Sequence, residues 1–155
     1  GIQQTRKLTG LRGRWEQVHQ QPTILVDVAH NAEGIREVLR QLSATSYAHL
    51  HWIIGFAKDK DVENILAMLP VKASYYFTKA QLPRALDEKE LHCLATQKGL
   101  QGRSYPVIRE ALREALLLAK EADLILVCGS IFLAGEAIEA LGEIQETSSP
   151  NFRKA

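Results

Sequence analysis

The sequence predicts an α/β domain: a mainly parallel sheet with helices on both faces and one antiparallel strand at an edge. Three observations carry this. Short continuous apolar runs recur along the chain, as expected of strands covered on both faces. Between them lie polar segments with a single apolar stripe at helical spacing. The two kinds of segment alternate, and alternating β and α units build a parallel sheet layered by helices.

The elements follow in order. Gly13-Arg14-Trp15-Glu16-Gln17-Val18 reads as the antiparallel strand, with a glutamine pair and Pro22 making the turn. Thr23-Ile24-Leu25-Val26-Asp27 is the first parallel strand. Ile35, Val38, Leu39 and Leu42 stripe the first helix, with Asn31 as N-cap and Glu33 at the positive end of its dipole. Leu50 to Gly55 is the next strand, and Val62, Ile65, Leu66 and Leu69 stripe a helix that Pro70 stops. Ala73 to Thr78 is another strand. Asp87-Glu88-Lys89-Glu90 opens a helix with capping-box-like spacing, and Gly99 follows its end. Ser104-Tyr105-Pro106-Val107 is placed at an edge, because proline cannot serve a central strand. Ile108, Ala111, Leu112, Ala115 and Ala119 make a long helix. Leu124 to Cys128 is the most apolar strand, and Ala134, Ala137, Ile138 and Leu141 close the series.

A chain of 155 residues fits one domain with a core large enough to need no disulfide or metal. Its net charge of +1 gives no drive toward nucleic acid or membrane. Cys93 and Cys128 both sit in apolar sequence and are read as two reduced, buried thiols of a cytoplasmic protein. No stretch approaches the ~20 apolar residues of a membrane span. The chain begins Gly1-Ile2-Gln3 without methionine, which is read as the boundary of a piece or an excised segment.

In open α/β sheets, ligands bind outside the carboxyl ends of the strands. That rule selects four segments. Asp27-Val28-Ala29-His30-Asn31 holds a carboxylate, an imidazole and an amide in one turn. A carboxylate that ends an apolar strand is out of place for packing alone, whereas it can accept sugar hydroxyls, and an imidazole can hold an anion or move a proton. Gly55-Phe56-Ala57-Lys58-Asp59-Lys60-Asp61 places Lys58 and Lys60 beside a helix start, where anions are favoured. Thr78, Lys79 and Arg84 follow the third parallel strand. Gly129-Ser130 joins close backbone approach to a hydroxyl at a helix start. For the Asp27–Asn31 turn function is favoured over simple capping, whereas for single residues of the Gly55–Asp61 segment and for Gly129-Ser130 the plain readings, caps and solvated charges, carry equal weight. Trp15 and Trp52 are read as packing residues. His19, His49, His51 and His92 show no ligand-like spacing and receive no role.

Several motifs are absent. No Gly-x-Gly-x-x-Gly follows the first strand, which disfavours a dinucleotide site. No Gly-x-x-x-x-Gly-Lys-Ser/Thr loop is present to cradle ATP phosphates, and there is no Cys-x-x-Cys, His-Glu-x-x-His or Gly-x-Ser-x-Gly. A sheet edge with sugar- and anion-binding groups but no phosphate loop reads as half a site.

Four segments in order resemble one family. They are Thr9-Gly10-Leu11-Arg12-Gly13-Arg14-Trp15-Glu16, Asp27-Val28-Ala29-His30-Asn31, Gly55-Phe56-Ala57-Lys58-Asp59-Lys60-Asp61-Val62 and Gly129-Ser130-Ile131-Phe132-Leu133-Ala134-Gly135-Glu136. Together they resemble the C-terminal domain of folylpolyglutamate synthase/dihydrofolate synthase, within the Mur ligase superfamily, from about Leu8 to Leu141. The resemblance implies a Rossmann-like Mur ligase C-terminal domain over 13–143, an interdomain linker remnant over 1–12 and a flexible tail over 144–155. It implies an ATP-dependent C–N ligase that adds L-glutamate to folate, with dihydropteroate as a possible second substrate, through an acyl phosphate. It also implies an N-terminal P-loop ATPase domain in the same full-length chain, which would share the ATP and carry the Mg2+. Carried over by position, Arg14 and Asp27 would contact ATP, and His30 and Ser130 would hold glutamate. Asn31, Lys58, Lys60 and Arg84 are weaker candidates, and this piece is expected to be inactive alone.

Related sequences often read Asp-Gly-Ala-His-Asn-Pro. Here Val28 and Ala32 stand in place of the glycine and the proline, and neither change removes a polar group. Two alternatives stay open: a free-standing nucleotide- or amino-acid-binding module without catalysis, and a Mur peptidoglycan or cyanophycin-type ligase domain. The Asp-x-Ala-His-Asn and Lys-Asp-Lys-Asp segments weigh against the second.

Overall fold

The computed structural model describes residues 15–147. Six strands form one sheet in the spatial order β1-β2-β6-β3-β4-β5. In chain order the elements are β1 (Glu16–Gln20), β2 (Thr23–Asp27), α1 (Ala32–Ser43), β3 (Leu50–Ile54), α2 (Val62–Met68), β4 (Ser74–Phe77), α3 (Glu88–Gln97), β5 (Gly102–Ser104), α4 (Ile108–Leu118), β6 (Leu124–Cys128) and α5 (Ile131–Thr147). Only β1 runs antiparallel, paired with β2 across a turn that contains the cis Gln21–Pro22 bond. The other pairs are parallel, with Asp27 opposite Cys128 and Ile54 opposite Cys128 on the two sides of β6. The α/β class, the parallel sheet and the antiparallel edge strand agree with the sequence.

The apolar runs are continuous because each strand feeds two cores. In β6, Leu124, Leu126 and Cys128 pack on one face with Leu25, Trp52 and Phe77. Ile125 and Val127 pack on the other with Ile24, Val26 and Ile53. The first core is closed by Ile35 and Val38 of α1, Ile65 and Leu66 of α2 and Leu91 of α3. The second is closed by Ala111 and Leu112 of α4 and by Ala134, Ala137 and Ile138 of α5. Small residues on α5 let it lie close to the sheet.

The order of strands creates a switch. The chain passes from β2 to β3 and outward to β5, then returns to place β6 between β2 and β3. Helices α1 and α2 therefore leave for one face while α5 leaves for the other. A crevice opens at such a point, at the carboxyl ends of the strands.

Three expectations are corrected. The edge strand is Gly102–Ser104, not Ser104–Val107. Its ladder ends at Tyr105, whose N–H donates to Phe77 O at 2.8 Å, and Pro106 has no N–H to continue it. Gly102 opens the strand because a side chain there would overlap the Tyr75 backbone. Cys93 is exposed, whereas Cys128 is buried. Leu91 and Ala95, four apart, turn inward on α3, and Cys93 lies half a turn away on the wet face. Burial, followed by the Asp27 charge, raises the Cys128 thiol well above its ordinary pKa. Finally, α5 continues to Thr147, so residues 144–147 are helical rather than part of a tail. Residues 1–12 and 148–155 lie outside the described residues. No helix among the described residues is long and apolar enough to cross a membrane.

Candidate functional site

The site is built where three strand ends meet. Gly129 follows β6 with φ of 136°, a region that favours glycine. A Cβ at Gly129 would overlap the Gly55 carbonyl, and a Cβ at Gly55 would lie 2.6 Å from Thr78 O. The Gly55 N–H in turn reaches Cys128 O at 3.4 Å. Backbone thus packs on backbone, and the loops after β3, β4 and β6 lie side by side at one edge.

Around this base lies a cleft of about 220 Å³, lined by residues from four loops. His30 comes from the turn after β2, Lys60 and Asp59 from the loop after β3, Arg84 from the loop after β4, and Ser130 from the start of α5. The loops after β3 and β4 are stitched together, with Lys58 N donating to Arg84 O and Leu86 N to Phe56 O, both at 2.8 Å. Two cations, an imidazole, a hydroxyl and the single carboxylate of Asp59 thus line one small volume, in which the cations outnumber the anion. The apolar part of the wall includes Phe56 and Phe132. Phe132 is 46% exposed, and the Arg84 guanidinium stands 5.6 Å from its ring centre, a cation–π contact that holds the charge at the mouth.

His30 is shared with a second cleft of about 390 Å³. Its other walls are Asp27, Val28, Ala29, Asn31, Glu33, Gly34 and Glu37. This cleft is acidic where the first is basic. Anions therefore suit the first, and hydroxyl or amine donors suit the second.

Each predicted site residue has a definite place. Asp27 is buried; its Oδ2 accepts the Trp15 N–H at 2.9 Å and its Oδ1 the Ala29 N–H at 2.8 Å. The carboxylate thereby ties the start of β1 to the turn after β2. His30 is exposed, and its Nδ1 lies 3.2 Å from Val28 O. A carbonyl only accepts, so Nδ1 carries the proton and Nε2 is left for a ligand. Asn31 caps α1, its Oδ1 accepting the Gly34 N–H at 2.9 Å. Ser130 caps α5, its Oγ accepting the Leu133 N–H at 2.9 Å and keeping its own O–H to donate. Lys60 and Arg84 line the basic cleft, whereas Lys58 is exposed and contributes no side chain to either wall. Asp61 stands at the N-cap position of α2 without a side-chain capping bond. Arg14 lies outside the described residues.

Replacing Asn31 by alanine strands the Gly34 N–H, and the expected loss is ~1 kcal/mol. A fall in melting temperature of roughly 2–4 °C checks it.

Sequence reading missed two features. Ile131 and Phe132 are 53% and 46% exposed, and both line the basic cleft. In sequence they extend an apolar stretch and look like core. Glu136 accepts the Gln81 N–H at 2.9 Å, which links α5 to the loop after β4. Nothing in its helix position announces a partner 55 residues away. Among the described residues, no group of three or more His, Cys, Asp or Glu is arranged to hold a metal ion.

Known proteins share this architecture. The sequence model of the family described as Mur ligase, glutamate ligase domain, matches residues 13–131. A probable bifunctional folylpolyglutamate synthase/dihydropteroate synthase of Haloferax volcanii is 31% identical over 126 residues, covering 81% of this chain and 15% of that protein. A UDP-N-acetylmuramoyl-L-alanyl-D-glutamate–2,6-diaminopimelate ligase of Halalkalibacterium halodurans is 29% identical over 132 residues, covering 79% of this chain and 27% of that protein. The crystal structure of the bifunctional folylpolyglutamate synthase/dihydrofolate synthase of Yersinia pestis, complexed with AMPPNP and Mn, superposes with a TM-score of 0.75. It is 26% identical, and the match covers 85% of this chain and 32% of that one. The chain spans less than a third of the length of each of these proteins. The fold, the matched segment and these relatives agree on one assignment: the chain belongs to the Mur ligase, glutamate ligase domain family.

Proposed function

We propose that this chain is the glutamate-handling domain of an ATP-dependent C–N ligase that extends a folate. The observation that carries this is the basic cleft. His30, Lys60, Arg84 and Ser130 arrive from four separate loops and face one volume of about 220 Å³. Glutamate presents two carboxylates, and cationic and hydroxyl donors match them. The His30 ring and the Ser130 O–H would take one carboxylate, with Lys60 and Arg84 near the other. The acidic cleft on the far side of His30 suits the sugar and base of a nucleotide, with Asp27 at its wall and Arg14 proposed for the phosphates. Lys58 and Asn31 are given lesser parts, the first between domains and the second in shaping the turn.

The sequence holds no phosphate-binding loop, and relatives of the chain are about three times its length or longer. We therefore place the ATPase chemistry, with its divalent metal, on an upstream P-loop domain of the full-length protein. There a folate carboxylate would be phosphorylated by ATP, releasing ADP. The glutamate amine would then attack the acyl carbon and expel phosphate. This domain's part is to bind and orient glutamate and, on closing, to keep water from the acyl phosphate. Alone it would not ligate.

The similarity to a diaminopimelate-adding enzyme supports a second reading, ligation of another amino acid to a peptide precursor. Steady-state kinetics of the full-length protein separate the two. We expect folate elongation with L-glutamate and none with diaminopimelate. In H30A the apparent KM for glutamate is expected to rise about ten-fold, the equivalent of ~1.4 kcal/mol, with the KM for ATP changing far less. An unchanged glutamate KM would remove His30 from the site.

A further inference from the structure

The basic cleft has two walls that no covalent segment joins directly. One is the start of α5, carrying Ser130 and Phe132. The other is the loop after β4, carrying Arg84. Their separation sets the distance between the groups proposed to hold the amino-acid substrate. A bond between these two elements would fix that width.

We propose that Glu136 is a positioning residue that sets the width of this cleft and so tunes amino-acid binding; the proposal rests on reading the cleft as the glutamate site. Glu136 lies on α5, six residues beyond Ser130. Its Oε2 accepts the Gln81 backbone N–H at 2.9 Å. The Gln81 side chain continues the bracket, its Nε2 donating to Pro106 O at 2.9 Å and to Lys79 O at 3.3 Å. One carboxylate thus joins α5 to the loop after β4, and Gln81 joins that loop to the segment before α4.

The loop is stiff enough to pass this on. Leu82 N donates to Ala80 O at 2.8 Å and Ala85 N to Leu82 O at 3.1 Å, so residues 80–85 form a compact turn. On its far side Arg84 O accepts the Lys58 N–H at 2.8 Å. The loop is therefore held from both sides, by the chain after β3 and by Glu136. Removing Glu136 releases the loop from α5 alone and leaves the Gln81 bond to Pro106 in place. Arg84 then loses its fixed distance from Ser130 and Phe132, while the backbone bonds to Phe56 and Lys58 keep the loop on the protein.

Glu136 does not serve local packing well. Its Oε1 is buried with no hydrogen-bond partner among the described residues. A carboxylate half satisfied in this way is an expensive way to hold a helix surface. A glutamine would supply the same acceptor to Gln81 N–H. The expected functional property is therefore an acceptor at the right reach, not a charge.

The test uses the full-length protein, with initial rates against L-glutamate and against ATP. In E136A the KM for glutamate is expected to rise about five-fold, with kcat and the KM for ATP within about two-fold. E136Q should stay within about two-fold of the parent on all three, because its amide oxygen can take the same bond. Because Glu136 acts through Arg84, the E136A/R84A double variant should bind glutamate no more than about two-fold worse than R84A. An E136A glutamate KM equal to the parent's, with R84A impaired, overturns the positioning role and leaves the glutamate site standing. Multiplicative effects of the two substitutions overturn it as well, as does an E136Q as impaired as E136A. An R84A with unchanged glutamate KM overturns the reading of the cleft itself. Should E136A fail to fold, E136D withdraws the acceptor by one methylene and must raise the glutamate KM in the same direction. An unchanged E136D overturns the proposal.

Discussion

Replacing Gly129 by alanine is expected to destabilise the domain by roughly 3–5 kcal/mol, the largest effect of any single methyl group added to it. Two costs combine. The residue sits at φ of 136°, where a side chain is strained whatever the surrounding space. The new Cβ would also meet the Gly55 carbonyl, which is backbone of a neighbouring loop and has little room to move. Gly55 is itself held against Thr78 O, so a shift at one loop presses on the next. The substitution therefore spreads apart the strand ends on which the basic cleft is built. Thermal unfolding is expected to show a midpoint at least about 10 °C lower. A midpoint within a degree or two of the parent would mean that the three loops do not pack as described.

The second large effect lies at the opposite end of the sheet. Asp123, just before β6, is 6% exposed, and its Oδ2 accepts His51 Nε2 at 3.0 Å and the Lys120 N–H at 3.0 Å. His51 is 4% exposed, and its Nδ1 lies 2.8 Å from the Tyr76 hydroxyl. With Nε2–H given to Asp123, Nδ1 accepts from Tyr76, and every polar atom of the ring is satisfied. Burial, followed by the neighbouring Tyr105, pushes the Tyr76 hydroxyl up to about 12. The phenol is therefore protonated and available as that donor. D123A leaves the buried His51 Nε2 without an acceptor, while water can reach the part-buried Lys120 N–H, and the expected loss is ~3 kcal/mol.

The same carboxylate gives a pH signature. Burial pushes the Asp123 pKa up, but the Lys120 N–H, the bond from His51 and the nearby imidazoles outweigh it, and the net shift is downward. A carboxyl group lowered on folding contributes stability above its unfolded pKa of ~3.9 and loses it as pH falls through the lower folded value. Stability is expected to decline below about pH 4, and D123N, which does not titrate, should show a shallower decline. Urea unfolding at neutral pH and in acid measures both slopes. Equal slopes would place the acid sensitivity elsewhere.

Much of the fold was legible because local signals agreed. Leu124 to Cys128 has no polar residue, and only a strand covered on both faces tolerates that. Asn31 and Asp87 both cap the helices they were expected to open. The errors have local causes. Pro106 drew the edge strand toward itself, although it ends the ladder, and Gly102 hid the true start by looking like a breaker. Cys93 sat among apolar neighbours in sequence that face the other way on the helix. At the site, the rule about strand ends found His30, Lys60, Arg84 and Ser130 because it concerns topology rather than contact. It could not see Glu136, whose partner is fixed by tertiary packing, or the exposed Phe132, which composition alone assigns to the core. The buried His51–Asp123 pair, separated by 72 residues, was invisible for the same reason, since no spacing pattern links the two.

The turn Asp27-Val28-Ala29-His30-Asn31 divides its work among its residues. Asp27 and Asn31 hold backbone, and His30 alone stands between the basic and acidic clefts. The most direct test is a crystal structure of the full-length protein with a non-hydrolysable ATP analogue and L-glutamate. The expected result is a glutamate carboxylate within hydrogen-bond reach of His30 Nε2 and Ser130 Oγ, inside the basic cleft. Glutamate held entirely by the upstream domain, with this cleft filled by water, would contradict it.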